Sequence, residues 1–449
     1  MASSTYRTAP VATDRLPSGI PFIISNEFAE RFSFYGMKTI LVIFMTEHLR
    51  ASGGELDVMT EPRAMSIYHF FTATAYAFPV MGALLSDIVF GKYRTIIMLS
   101  LVYCLGHFAL AIDETQVGLF VGLTLIAIGA GGIKPCVSAH VGDQFGESNS
   151  HLLSRVFGWF YFSINAGAFI STLLTPWLLE HYGPWAAFGF PGVLMFAATI
   201  AFWLGRHRFV HIPPSGSGFL KEAFSNEGKA AMGKLIVLFL FVSMFWALFD
   251  QSGSSWVLQA RDMNLMWMGI EWLPSQVQAA NPLMIMLYIP LFNYVLYPFA
   301  SKYVTLTPMR KISTGLFLTS VSFLIPIWVE QGLVAGAQPN IAWHLLAYAI
   351  LTAAEVMVSI TCLEFSYTQA PKAMKSFISA LFWLSITMGN VFAGFVNFFI
   401  ENPDGSSKLE GPSYFIFFTV VMFVTAVLFV FYAMQYKEHR YIHDENPES

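Results

Sequence analysis

The chain has 449 residues, of which 55% are hydrophobic and 12% charged, with a formal net charge of −4 and a mean hydropathy of +0.58. Soluble domains carry about 25% charged residues, and the apolar runs here last about 20 residues, the length of a membrane-crossing helix and about twice that of a barrel strand. The composition therefore predicts an integral, all-α membrane protein and excludes a soluble domain, a β-barrel and a basic nucleic-acid-binding protein.

Twelve apolar stretches follow one another, and each predicts a transmembrane helix. They cover residues 20–48, 63–90, 94–112, 116–142, 152–180, 184–205, 234–258, 277–300, 309–330, 341–368, 374–400 and 412–436. The longest polar connection lies between the sixth and seventh, the pattern of a transporter built from two parallel halves. The predicted organisation is a tail (1–19), a six-helix bundle (20–205), a linker (206–233), a second six-helix bundle (234–436) and a tail (437–449).

Lysine and arginine are divided unequally between the two sets of connections. With both termini cytoplasmic, the outside segments contain only Arg50, Arg63, Arg261 and Lys408, while the inside segments contain most of the others. Because cytoplasmic loops carry an excess of Lys and Arg, we predict cytoplasmic termini in a multi-pass protein of the plasma (inner) membrane. The polar first 19 residues lack an apolar core, so we expect a cytoplasmic tail and no cleaved signal peptide.

The first predicted helix carries charges within an apolar segment. Glu27, Glu30, Arg31 and Lys38 all lie between residues 20 and 48. Charge at membrane depth costs a few kcal/mol per group and usually has a function. Residues 27, 31, 34 or 35, and 38 are three or four apart, so they share one helical face. This face must line a cavity or contact a partner rather than lipid.

Further ionisable residues lie in the later spans. Lys134 sits mid-span and needs a carboxylate partner, and Asp250 is either the partner of a cation or a proton carrier. Glu355 is a better site candidate than Glu364, which we interpret as a structural or gating acid. His69 is either a hydrogen-bonding residue or a proton site. Intramembrane acids outnumber fixed cations by two, as a count of Glu27, Glu30, Asp250, Glu355 and Glu364 against Arg31, Lys38 and Lys134 shows.

That excess means that some acids are protonated during part of a working cycle, as a proton-coupled carrier requires. No His-Glu-x-x-His motif and no Cys-His or Ser-His pair is evident. We therefore expect no enzyme, no catalytic residue and no metal site. A purely structural or receptor role is disfavoured, because opposed buried charges would bring cost without use.

Five motifs, in order along the chain, resemble the proton-coupled oligopeptide transporter (POT/PTR) family of the major facilitator superfamily. The resemblance covers most of the chain. The motifs are Glu27-x-x-Glu30-Arg31-Phe32 continued by Ser33-Phe34-Tyr35-Gly36, Gly132-Ile133-Lys134-Pro135, Phe160 to Ala168, Phe245-Trp246 through Asp250 to Ser254, and Leu363-Glu364 through Gln369-Ala370-Pro371.

The resemblance implies a symporter that imports di- and tripeptides with protons by alternating access, with no cofactor besides protons and no obligate protein partner. It implies proton coupling by Glu27, Glu30, Arg31, His69 and Asp250. It also implies ion pairs between the halves, Lys38–Asp250 and Lys134–Glu355. The substrate-binding residues that it implies are Lys38, Tyr35, Tyr76, Lys134, Asn165, Trp246, Asn281, Glu355, Ser359 and Trp383.

The sequence departs from the family pattern at several positions. Lys38 stands where an arginine is usual, and Phe34 replaces a tyrosine. Ile360 and Cys362 occupy positions where a proline and a glycine are common, which puts the flexibility of the tenth helix in question. An alternative stays open, namely a proton-coupled carrier of another small solute such as nitrate in the same fold.

Overall fold

The computed structural model describes residues 6–214, 226–368 and 375–436. The predicted tail 437–449, the first five residues, the middle of the linker at 215–225 and the end of the fifth motif at 369–371 lie outside the described residues. The helices agree in position with the twelve predicted spans, and we number them α1 to α12.

The first six helices follow one another with short connections. Several of them begin or end in a 3-10 or π-helical turn, whose range is given with that of the helix. They are α1 (Ile20–Ile43, with a π-helical turn Phe44–His48), α2 (Glu61–Leu84, with a π-helical turn Leu85–Phe90), α3 (Lys92–Ile112), α4 (Gln116–Gly142), α5 (Leu153–Tyr182, after a 3-10 turn Glu147–Leu152) and α6 (Pro184–Leu204, before a 3-10 turn Gly205–His207).

The last six helices are more interrupted. They are α7 (Asn226–Phe249, a 3-10 turn Asp250–Gly253, then Ser255–Arg261), α8 (a 3-10 turn Pro274–Ala279, Ala280–Leu291, a π-helical turn Phe292–Leu296, then Tyr297–Ala300), α9 (Pro308–Ser322 and Leu324–Val334), α10 (Ala342–Glu355, a π-helical turn Val356–Ile360, then Thr361–Thr368), α11 (Lys375–Ile400) and α12 (Pro412–Gln435). A small antiparallel hairpin, β1 (Met266–Trp267) and β2 (Ile270–Glu271), connects α7 to α8.

Local sequence explains where many helices begin. Proline occupies the first turn of α1, α2, α6, α9 and α12, where its missing N–H costs nothing. Thr115 and Thr307 cap α4 and α9, their hydroxyls accepting hydrogen bonds from Gly118 N and Arg310 N. Such caps satisfy backbone donors that a helix leaves unpaired.

Length and composition mark the helices as membrane spans. Among the described residues, eleven helical stretches are long and apolar enough to cross a bilayer. The remaining stretch, α1 with its π-helical turn, is as long as the others but contains Glu27, Glu30, Arg31 and Lys38. The chain is a multi-pass membrane protein whose most polar span is buried among the others.

The helices pack mainly within two sets. Among the first six, α1 packs on α5 and α6, and α4 on α2 and α3. Among the last six, α9 packs on α10 and α12, and α11 on α7. The two sets meet through α2 against α11 and through α5 against α8. The tenth helix is interrupted at Val356–Ile360 although Ile360 replaces the usual proline.

Gly82 permits a close approach between α2 and α4. A Cβ at this position would lie 2.5 Å from Gly132 Cα, against the backbone of α4. We expect Gly82→Ala to reduce the free energy of unfolding by about 1–3 kcal/mol, the usual cost of overpacking. The measurement is the thermal unfolding midpoint of the purified protein. Gly158→Ala in α5, where a Cβ meets nothing within 4 Å, is the matched control, and an equal loss in both variants would contradict the packing explanation.

Candidate functional site

The charged residues of α1 form a buried cluster. Arg31 Nε lies 2.7 Å from Glu27 Oε1 and 3.0 Å from Glu30 Oε2. All three side chains are buried, and neither Glu30 oxygen accepts a hydrogen bond from the described residues. Two carboxylates share one guanidinium, so the cluster has one negative charge in excess when both are ionised. Uptake of a proton would neutralise that excess.

A second buried network joins four helices. Lys38 Nζ on α1 lies 2.6 Å from Asp250 Oδ1 on α7. The other oxygen, Asp250 Oδ2, accepts a hydrogen bond of 2.7 Å from Asn390 Nδ2 on α11. Asn390 Oδ1 lies 2.8 Å from Nδ1 of His69 on α2, whose Nε2 lies 3.1 Å from Ser254 Oγ. The ion pair and the histidine are therefore connected through one amide.

The direction of these hydrogen bonds follows from the donor and acceptor groups. The Asn390 amide nitrogen donates to Asp250. The amide oxygen of Asn390 has no hydrogen and can only accept. His69 Nδ1 must then carry the proton, and in the neutral ring Nε2 accepts from the Ser254 hydroxyl. A second proton on His69 would require Ser254 to turn its hydroxyl away. The network thus connects the protonation state of His69 to the Asp250–Lys38 pair.

An interruption of α7 positions Asp250. The α-helix ends at Phe249, and Asp250–Gly253 form a 3-10 turn before the chain resumes as Ser255–Arg261. Tyr348 Oη on α10 donates to Ser252 O at 2.8 Å, which satisfies a carbonyl in the turn. Gly253 lies against the hydroxyl of Tyr68, leaving no room for a Cβ. The turn therefore presents its carboxylate to Lys38 instead of continuing a regular helical ladder.

Lys134 does not form the expected ion pair with Glu355. Its Nζ lies 4.0 Å from the ring centroid of Phe34 and 4.1 Å from that of Tyr76. It has no hydrogen-bond partner among the residues that the structure describes. The prediction of this pair is wrong for this conformation, because α4 and α10 belong to different helix sets that do not pack closely together here. The two aromatic faces supply the lysine with cation–π contacts instead.

Glu355 has a polar partner of its own. Its Oε2 accepts a hydrogen bond of 2.7 Å from Asn281 Nδ2 on α8, and the same amide nitrogen donates to Thr352 Oγ1 at 3.1 Å. The glutamate is half-buried. Ser359 is also half-buried and lies in the π-helical turn that follows. The carboxylate is thus held between α8 and α10 by a neutral amide.

The remaining candidate residues contribute aromatic and amide surface. Tyr76 on α2 stacks on Trp383 of α11, with ring centroids 5.5 Å apart and planes at 16°. Trp246 is buried beside Phe382, and its Nε1 has no hydrogen-bond partner in the described parts of the chain. Asn165 donates within α5, to Tyr161 O, and Tyr35 is half-buried on α1.

One end of the molecule is closed by contacts between the two helix sets. Arg261 at the end of α7 forms ion pairs with Glu61 at the start of α2 and with Glu47, the latter at 3.7 Å. Thr60 donates to Glu401 Oε1 at 2.6 Å. We call this the closed end.

From the closed end, α2 and α11 run antiparallel in contact. Ser66 Oγ donates to Gly394 O at 3.0 Å, and Thr387 Oγ1 donates to Ala73 O at 3.2 Å. The last contact in the series is the Tyr76–Trp383 stack. The described contacts between the two helices thus extend from the closed end as far as the middle of α2.

Comparison with known proteins identifies the family. Residues 93–227 and 219–417 match the family model described as the POT family. The chain belongs to the POT family. "Peptide transporter family 1" of Drosophila melanogaster is 38% identical over 70% of this chain and 48% of its own length. Human solute carrier family 15 member 2 is 38% identical over 77% of this chain and 53% of its own length. The chain spans about half the length of these curated relatives.

Solved structures of POT family members have the same fold. The crystal structure of the POT family transporter PepTSo is 37% identical, with a TM-score of 0.84 over 94% of this chain and 98% of that one. An autoinhibited POT family peptide transporter is 34% identical, with a TM-score of 0.86 over 96% and 99%. The fold is thus that of the major facilitator superfamily, as the sequence predicts, and the POT family consists of transporters rather than enzymes.

Sequence reasoning missed part of this POT family site. Asn390 links Asp250 to His69, but a search restricted to ionisable residues passes over a neutral amide. A buried amide in an apolar span was the available signal, because unpaired it would be costly. Glu364, which the sequence analysis counts among the intramembrane acids, has an exposed side chain in this structure.

Proposed function

We propose that this chain is a proton-coupled symporter that imports di- and tripeptides by alternating access. The peptide transporters among its relatives support this function. The observation that carries it is the separation of positive and negative side chains between the two helix sets. Lys38 and Lys134 lie on the first helix set, while Asp250 and Glu355 lie on the second. A peptide with one charge at each end matches such a division.

The proposed site binds the two ends of the peptide separately. The carboxylate contacts Lys38 and Lys134, and the α-amino group contacts Glu355 beside Asn281. Lys134 supports this role because its ammonium has cation–π contacts but no carboxylate within 4 Å among the described residues. Side chains of different peptides pack on the walls of the site, because apolar contact is not directional. These walls comprise Tyr35, Tyr76, Asn165, Trp246, Ser359 and Trp383.

Proton coupling involves Glu27, Glu30, Arg31, His69 and Asp250, with the proton entering by His69, by Glu27 or Glu30, or by Asp250. Protonation of Asp250 removes the attraction that holds Lys38 across the two sets, and protonation of Glu30 removes the excess charge beside Arg31. A bound peptide then competes for the released cations. Only protons are needed as the coupling ion, and we propose no cofactor and no obligate protein partner.

The proposed orientation has both termini in the cytoplasm and the chain in the plasma membrane. Lys and Arg are concentrated on the side of the termini. With this orientation the closed end faces outside, and the present conformation is closed to the outside. Opening would break the Arg261–Glu61 ion pair between α7 and α2 and separate α2 from α11, with the two six-helix halves (20–205 and 234–436) rocking about the site.

Uptake of labelled Ala-Ala by protein reconstituted into liposomes tests the proposal. We expect accumulation when the lumen is negative or the outside acidic, and we expect unlabelled dipeptide to compete. Liposomes without a gradient, and liposomes containing the Asp250→Asn variant, are the controls. Uptake that depends on neither the pH gradient nor the membrane potential would contradict coupling of transport to protons. Competition by nitrate but not by dipeptides would favour a carrier of another small solute.

A further inference from the structure

A groove on the outer surface of the first helix set is not used by the proposed transport cycle. It runs between α1, α5 and α6 and has a volume of about 530 Å³. Its walls include Ile24 and Phe28 of α1, Phe162 of α5, and Ala197 and Ala201 of α6. Small alanines on α6 leave space between larger side chains on the other two helices.

The groove offers its occupant no unpaired polar group. Its two hydroxyls belong to Ser25 and Ser163. Ser25 Oγ donates to Pro21 O at 2.7 Å, and Ser163 Oγ donates to Phe160 O at 2.7 Å. Because both hydroxyls donate within their own helices, an apolar chain can lie in the groove without leaving a hydrogen-bond donor unpaired.

Two arginines lie in the chain on the terminal side of the groove residues, one early in α5 and one just after α6. Arg208 follows Ala201 by seven residues, and its guanidinium lies 5.2 Å from the ring of Phe22, which precedes the groove residues of α1. Arg155 precedes Phe162 by seven residues and lies 4.9 Å from the ring of Trp159. Both arginines are exposed, and neither has a carboxylate within 4.0 Å in the described part of the chain. Their charge is therefore available to a ligand.

We infer that this groove binds an anionic phospholipid, with an acyl chain between α1, α5 and α6 and the headgroup phosphate against Arg155 and Arg208. Guanidinium groups match phosphate oxygens in geometry and charge. A second copy of the chain fits less well. Two copies related by an axis along the membrane normal would carry Arg155 and Arg208 at the same membrane level, so four cations would meet without acids.

The lipid would lie directly behind the charged cluster of α1. Phe28 and Ala29 line the groove, while Glu27 and Glu30 flank them in the sequence. Gly167 of α5 packs closely on α1, because a Cβ added to it would lie 2.9 Å from the carbonyl oxygen of Phe28. An occupant of the groove therefore contacts the helix that carries Glu30 without touching the transport site.

Native mass spectrometry of the purified full chain tests this inference, with dioleoyl phosphatidylglycerol and dioleoyl phosphatidylcholine as probes. We expect preferential binding of the anionic lipid and roughly thirtyfold weaker binding of it to the double variant Arg155→Gln/Arg208→Gln, with phosphatidylcholine unaffected. Lys302→Gln/Arg310→Gln is the matched control, since it removes two exposed cations from the same side in the second helix set. Equal losses of phosphatidylglycerol binding in both double variants would show that general surface charge causes the effect, and would overturn the inference.

Ala197→Trp provides a second, independent variant because it fills the groove and leaves both arginines in place. We expect it to lose bound phosphatidylglycerol while keeping a monomer mass and a wild-type circular dichroism spectrum, and Ala201→Phe replaces it if that spectrum changes. Undiminished lipid binding by a folded groove-filled variant would overturn the inference. A dimer of the unaltered chain that dissociates in that variant would do so as well, and would assign the groove to a second copy.

Discussion

Glu30→Gln is expected to abolish peptide accumulation driven by a proton gradient and to leave peptide counterflow intact. The buried Glu30 carboxylate shares Arg31 with Glu27, so its protonation changes the net charge of the cluster. Glutamine is permanently neutral and mimics the protonated state. One proton crossing 100 mV supplies about 2.3 kcal/mol, equivalent to roughly fiftyfold accumulation, and the variant should lose this factor.

Two assays on the same liposomes distinguish coupling from folding. Gradient-driven uptake measures the use of the proton, while exchange of labelled for unlabelled Ala-Ala measures binding and the conformational change. Glu180→Gln, an exposed carboxylate at the end of α5, is the matched control and should keep both activities. Loss of exchange together with driven uptake would assign Glu30 to binding or folding instead.

Asp250→Asn is expected to destabilise the protein by about 3–5 kcal/mol, the usual cost of removing one partner from a buried ion pair. Asparagine can keep a hydrogen bond with Asn390, but Lys38 would then lie buried at 2.6 Å from a neutral group. Combining Asp250→Asn with Lys38→Met removes both charges, so most of the stability should return. Transport should not return, because the cation that we propose to bind the peptide carboxylate is gone.

The measurement is the thermal unfolding midpoint of both single variants and the double variant, arranged as a double-mutant cycle. Arg50→Gln removes one partner of an exposed ion pair with Glu114 and serves as the control. Exposed pairs contribute about 0–1 kcal/mol, so its midpoint should hardly move. Additive losses from Lys38→Met and Asp250→Asn would contradict direct coupling between them.

The apolar runs predict the helices well because a bilayer imposes one requirement on all of them. Each span must satisfy its backbone internally over about 20 residues, so twelve runs predict twelve helices. The charged stretch of α1 likewise requires burial wherever it occurs, and Glu27, Glu30, Arg31 and Lys38 are all buried. These inferences need only the properties of the bilayer and the residues of one span, and both can be read without knowing how distant helices pack.

Pairing between distant helices depends on which conformation the protein adopts. Lys134 and Glu355 lie on helices that do not pack closely in this conformation, and their separate partners, the Phe34 ring and Asn281, carry no charge. Residue types alone suggest an ion pair but contain no information about the distance between the two helix sets. Asn390 was missed for a different reason, since an amide becomes informative only when its two neighbours are known.

The π-helical turn Val356–Ile360 changes the geometry between the two acids of α10. In a regular α-helix, nine residues separate Glu355 and Glu364 by about half a turn, since each residue rotates by about 100°. A π-helical turn absorbs about one additional residue, which reduces the angular offset between them to roughly 80°. The turn thus sets the register between the segment that ends at Glu355 and the segment that carries Glu364. Deleting a single residue there would rotate one segment against the other while leaving every residue type of the site unchanged.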